Sequence, residues 1–139
     1  MKVTLFGKPI PKSRPRFSKN GKVYNSQAKI MEEDAFFIGV QWNGPLYEGP
    51  VEIRSIFYMP IPKRLSKKDR AGLQGTPHIG HCDIDNLEKK LFDCIVKSGV
   101  IINDDCQIAL STSSKIWSDN PRTEFTILEL PESNNAKLC

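Results

Sequence analysis

Between Asp83 and Gly99 the apolar residues Ile84, Leu87, Leu91, Cys94 and Ile95 recur at spacings of three and four. That is the period of a helix burying one face against a core. The stripe demands a surface to cover, and the flanking segments supply one. Val51 to Met59 alternates Val51, Ile53, Ser55, Phe57 and Met59 against Glu52, Arg54, Ile56 and Tyr58, the period of a strand with one wetter face. Lys2 to Phe6, Gln107 to Trp117 and Thr123 to Leu130 read as further strands, the last two separated by Ser118-Asp119-Asn120-Pro121. A second helix is expected from Ser26, as N-cap, to about Gln41, ending at Asn43-Gly44-Pro45. The expected fold is α+β: a mixed sheet of four to five strands packed by two main helices.

A chain of 139 residues fits one domain. Residues 1–130 form it in this reading, with 131–139 as a frayed tail. No apolar run reaches the roughly 18 residues of a membrane span, and the start lacks a signal peptide's apolar stretch, so a cytoplasmic protein without a membrane partner is expected. Cys82, Cys94, Cys106 and Cys139 form no CxxC pair and are expected as free thiols. His78, His81, Cys82 and Cys106 match no common zinc spacing.

The net charge of +4 hides an asymmetry. The first 70 residues carry 14 Lys or Arg against 6 Asp or Glu; the remainder carries 6 against 10. A basic half joined to an acidic half suits a protein that grips a polyanion with one region and brings carboxylates to it with another. Residues 8–22 hold six basic residues, three prolines and no acid, which predicts an extended, irregular loop. Lys8, Lys12, Arg14, Arg16 and Lys19 there, and Lys63, Arg64, Lys67 and Lys68 in the proline-bounded stretch 60–82, are candidate phosphate contacts, which position DNA without reading its sequence. A short helix from Ser66 is expected within that stretch. Phe17 and Tyr24 either stack on bases or pin the loop to the core.

The acids fall into two clusters. Asp83 and Asp85 are two residues apart where the stripe begins, and Lys89, four residues past Asp85, returns to nearly the same helix face. Carboxylates in such a pair suit Mg²⁺, which takes one or two of them and keeps other positions for water and phosphate. The competing explanation is capping, with Asp85 and Glu88 at capping-box spacing. The second cluster is Asp104-Asp105, read as leading into a strand. Adjacent acids there point to opposite faces, and Asp105, on the side of Gln107, is the stronger third ligand, with Asp104 the alternative.

The string Asp83-Ile84-Asp85-Asn86-Leu87, followed by Lys89, Asp93 and Asp104-Asp105-Cys106-Gln107-Ile108, closely resembles the signature of RusA-family Holliday junction resolvases. Gly7-Lys8-Pro9 and Arg14-Pro15-Arg16 extend the resemblance to roughly residues 2 to 130. It implies a homodimer that nicks opposed strands of a four-way DNA junction with Mg²⁺ or Mn²⁺. Asp83, Asp85 and, aligned through Gln107, Asp105 correspond to the essential acids, and Lys89 to the functional lysine. Where the family often has Lys or Arg with Pro before the first acid, this chain has His81 and Cys82. His81 replaces that DNA contact only when protonated or as a hydrogen-bond donor. The expected chemistry is in-line hydrolysis of a phosphodiester, with Lys89 neutralising a phosphate or leaving oxygen. The alternatives are a branched-DNA or flap nuclease, or a non-catalytic DNA-binding module whose acids cap a helix.

Overall fold

The computed structural model describes residues 1–13, 16–24 and 27–132. The alternation in β4 (Val51–Pro60) seats the sheet: Val51, Ile53, Phe57 and Met59 are buried beneath the helices, while Arg54 is exposed on the other face. β1 (Lys2–Phe6), β5 (Ile108–Ser118) and β6 (Arg122–Glu129) complete a sheet of order β1-β6-β4-β5. β6 is antiparallel to β1 and β4, and β4 and β5 are parallel, so the chain must cross over between them. Helix α3 (Ile84–Ser98) makes the crossover, with α1 (Ala28–Gln41) packed beside it. This is the expected α+β domain with a mixed four-stranded sheet.

Leu87, Leu91, Cys94 and Ile95 of the stripe are buried, and Gly99 ends α3 at φ 70°, a left-handed conformation that suits glycine. Burial raises the Cys94 thiol pKa to about 11, as befits a packing residue. Lys90 lies on the same buried face, where its ammonium meets Asp34 of α1 at 2.6 Å. This ion pair joins the two helices and was not foreseen from the sequence.

Some boundaries and local expectations change. Gln27 takes the N-cap position of α1, and Ser26 lies outside the described residues. The basic loop contains a small antiparallel ribbon, β2 (Arg16–Phe17) with β3 (Val23–Tyr24), closed where Ser18 N–H donates to the Lys22 carbonyl at 2.7 Å. Ser66 caps the expected short helix, α2 (Lys67–Leu73), by accepting from the Asp69 N–H at 3.2 Å. Cys82 and Cys94 are free thiols, but Cys106 is disulfide-bonded, which corrects the expectation for that residue; Cys139 lies outside the described residues. Among the described residues no helix is long and apolar enough to cross a membrane.

Candidate active site

Asp83 occupies the N-cap position of α3 with extended backbone (φ −68°, ψ 141°), yet its side chain makes no capping hydrogen bond. Glu88 does not reach back to close a capping box either; its carboxylate accepts from the Ser111 hydroxyl of β5. Capping therefore does not account for this acid pair. Asp83, Asp85 and Lys89 are all exposed, and among the described residues none is held in an ion pair.

The second cluster differs from its expected form. Asp104 caps a 3-10 turn, Asp105–Gln107, that precedes β5. Gln107 is not a strand residue sharing a face with Asp105. It is buried, and its side chain is a hub. Oε1 accepts from the N–H groups of Asn103 (2.9 Å) and Asp104 (3.2 Å), while Nε2 donates to the carbonyls of Tyr47 (2.8 Å) and Gly49 (3.0 Å). The face-sharing argument that favoured Asp105 over Asp104 thus fails, because the backbone here is a turn rather than a pleat. The turn brings the two carboxylates together instead. The Cys106 N–H and the shared hydrogen bond with Asp105 lower the pKa of Asp104. The same shared bond, with burial and repulsion from Asp104 and Asp93, raises that of Asp105. Two carboxylates in contact repel each other, and a cation between them would relieve that repulsion.

Among the described residues no three His, Cys, Asp or Glu side chains converge as a metal-holding group. The segment before α3 lies beside Lys115, well along β5, while the 3-10 turn lies at the start of that strand. The α3 acid whose charge weighs on Asp105 is Asp93.

The basic residues divide similarly. Lys8, Lys19, Lys63, Arg64, Lys67 and Lys68 are exposed, as is His81. Lys12 is engaged elsewhere: its ammonium pairs with Asp93 at 3.0 Å and its N–H donates to the Asn86 carbonyl at 3.0 Å, fixing the loop to α3. Arg14 and the side chains of Arg16 and Tyr24 lie outside the described residues. Phe17, 74% exposed, does not pin the loop to the core.

Exposed acids thus lead into the crossover helix, in a chain whose first half is rich in exposed lysines. The chain belongs to the endodeoxyribonuclease RusA family, whose model matches residues 7–128. It is also similar to the uncharacterized protein YqaN of Bacillus subtilis (strain 168), at 30% identity over 139 residues that cover 94% of this chain and 96% of that protein.

Proposed function

We propose that this chain is a Mg²⁺-dependent endodeoxyribonuclease, with Mn²⁺ as a substitute, that resolves four-way DNA junctions by paired symmetric hydrolysis as a cytoplasmic homodimer. One observation carries the assignment of the site. Asp83, Asp85 and Lys89 stand exposed where α3 begins, and Asp83 makes no capping hydrogen bond although it occupies the N-cap position. Two such carboxylates fit Mg²⁺, which leaves its remaining positions to water and phosphate oxygens. Asp83 and Asp85 would hold the ion, with Asp105, in contact with Asp104, as the candidate third ligand and Asp104 the alternative. When bound, the ion supplies an activated water and a counter-charge for the developing negative charge. The chain's part is to present the two carboxylates on a rigid helix start and to place Lys89 where its ammonium neutralises a phosphate oxygen. The exposed lysines of residues 63–68 hold the DNA backbone.

The homodimer reading is supported by α1. Its inner face buries Met31, Ala35 and Ile38, yet Phe36 and Val40 on its outer face are 66% and 64% exposed. An apolar face of this kind marks an interaction surface, and the nearby Glu32 and Glu33 make it a poor seat for DNA. A two-fold pair matches the two symmetric cleavage points of a four-way junction.

The test is cleavage of a synthetic four-way junction, with and without Mg²⁺, by the wild type and Asp85→Asn. The expected outcome is Mg²⁺-dependent paired nicking that the substitution abolishes while junction binding persists. Undiminished cleavage by Asp85→Asn ends this reading. Flap and plain duplex substrates run alongside separate a junction enzyme from a broader branched-DNA nuclease.

A further inference from the structure

The segment before Asp83 is laid along the outer edge of β5. The Gly75 N–H donates to the Trp117 carbonyl at 2.9 Å, the Trp117 N–H to the Thr76 carbonyl at 2.9 Å, and the His78 N–H to the Lys115 carbonyl at 3.0 Å. Pro77 and Ile116 form a bridge, and the buried His78 ring packs on Trp117 with centroids 4.2 Å apart. This strap covers a sheet edge that would otherwise lie open. Beyond His78 the segment turns away from the strand, through Gly80 at φ 150°. A side chain takes over there: Lys115 Nζ donates to the Cys82 carbonyl at 2.6 Å and to the Gly80 carbonyl at 3.2 Å.

Cys82 is the residue that hands the chain to Asp83. The orientation of its peptide group sets how Asp83 and the first turn of α3 present their carboxylates. Lys115 is only partly exposed, and two of its three ammonium protons are directed at these carbonyls, so it is not a spare phosphate contact. Its charge also bears on the strap: burial first, and then Lys115, lowers the pKa of His78, favouring the neutral imidazole beneath the turn. A uncharged His78 avoids setting a second cation against the ammonium.

We infer that Lys115 is a positioning residue for the acid pair: by clamping the Gly80 and Cys82 carbonyls, it fixes the turn that aims Asp83 and Asp85. This rests on the reading of those acids as the cation-holding pair, and it adds a residue that lies outside both acid clusters, on the strand β5.

The test compares wild type, Lys115→Met and Lys115→Arg in three measurements. The first is amide hydrogen exchange across residues 79–85 in the metal-free protein. The second is Mn²⁺ binding without DNA. The third is junction cleavage, resolved into kcat and KM. Lys115→Met is expected to speed exchange in that segment, weaken Mn²⁺ binding, and lower kcat by roughly tenfold to a hundredfold, the order expected for a misplaced catalytic group. KM is expected to stay near the wild-type value. Lys115→Arg, which keeps a cation with several donors, is expected to recover most of each loss, so that a general folding defect is distinguished from a lost clamp. Wild-type exchange in Lys115→Met, or unchanged Mn²⁺ binding and kcat, overturns the inference. Mn²⁺ binding that is indifferent to Asp85→Asn counts instead against the acid-pair reading, and the nuclease role of Lys115 falls with it.

Discussion

Replacing Gln107 by Ala removes four hydrogen bonds at once, two accepted from the Asn103 and Asp104 N–H groups and two donated to the Tyr47 and Gly49 carbonyls. A typical bond contributes about 1 kcal/mol net, and a buried group left without a partner costs more. Because these loops are only partly buried, some of the released groups regain water, and the expected loss is about 3 kcal/mol. That corresponds to roughly a hundredfold change in the folding equilibrium, well within reach of urea unfolding followed by Trp fluorescence. Trp42, which packs edge-on to Tyr47 at 6.2 Å between centroids, reports from beside the affected loop. Gln107→Glu is the sharper variant: it keeps an acceptor for the two N–H groups but turns a carboxylate toward two carbonyls, and is expected to cost at least as much as Ala. A loss below about 1 kcal/mol for Gln107→Ala, with an unchanged denaturant slope, refutes the reasoning, since the hub would then be dispensable.

The Lys90–Asp34 pair is expected to behave as a partly buried bridge. Asp34→Ala strands an ammonium beside Cys94 and should cost about 2–3 kcal/mol in urea unfolding, discounted for residual exposure, whereas replacing both partners by apolar residues should recover most of it. In the metal-free protein, carboxyl NMR titration should place Asp104 below and Asp105 above the ordinary Asp range, with Asp104→Asn bringing Asp105 back down. By linkage, the stabilisation from Asp105 is present below its ordinary pKa and lost as pH rises through the raised value. That from Asp104 is present above its ordinary pKa and lost as pH falls through the lowered one, so titration reads these groups better than stability does. Phe36→Lys should keep the protomer's secondary structure in circular dichroism, because the side chain is exposed on the single chain, yet convert the protein to a monomer in sedimentation analysis. A dimer that survives this substitution places its interface elsewhere.

The legible parts of the fold were those encoded by local period. The α3 stripe, the alternation in β4 and the stop at Gly99 each follow from residues close in sequence, and all three appear in the structure. Gln107 was misread because its role depends on carbonyls about sixty residues away, and a polar residue near a strand start looks the same whether it faces water or organises a loop. Lys90 was missed because its partner, Asp34, lies on another helix. Lys115 was missed because a strand lysine carries no local sign that it holds carbonyls of a remote turn. The acids themselves stood out, but whether two clusters would meet depended on the relative run of α3 and β5, which spacing does not encode.

The root of the basic loop is stitched down before any ligand arrives. Gln27 Nε2 donates to the Pro11 carbonyl at 2.7 Å while its Oε1 accepts from the Ser13 N–H at 3.0 Å, and Lys12 between them is fastened to Asn86 and Asp93. Conformational freedom at that hinge is surrendered during folding, so less of it has to be surrendered when a charged polymer docks. Asn86 is also the neighbour of Asp85, so the loop's anchorage and the opening turn of the helix bearing the acids meet at one hydrogen-bonded junction.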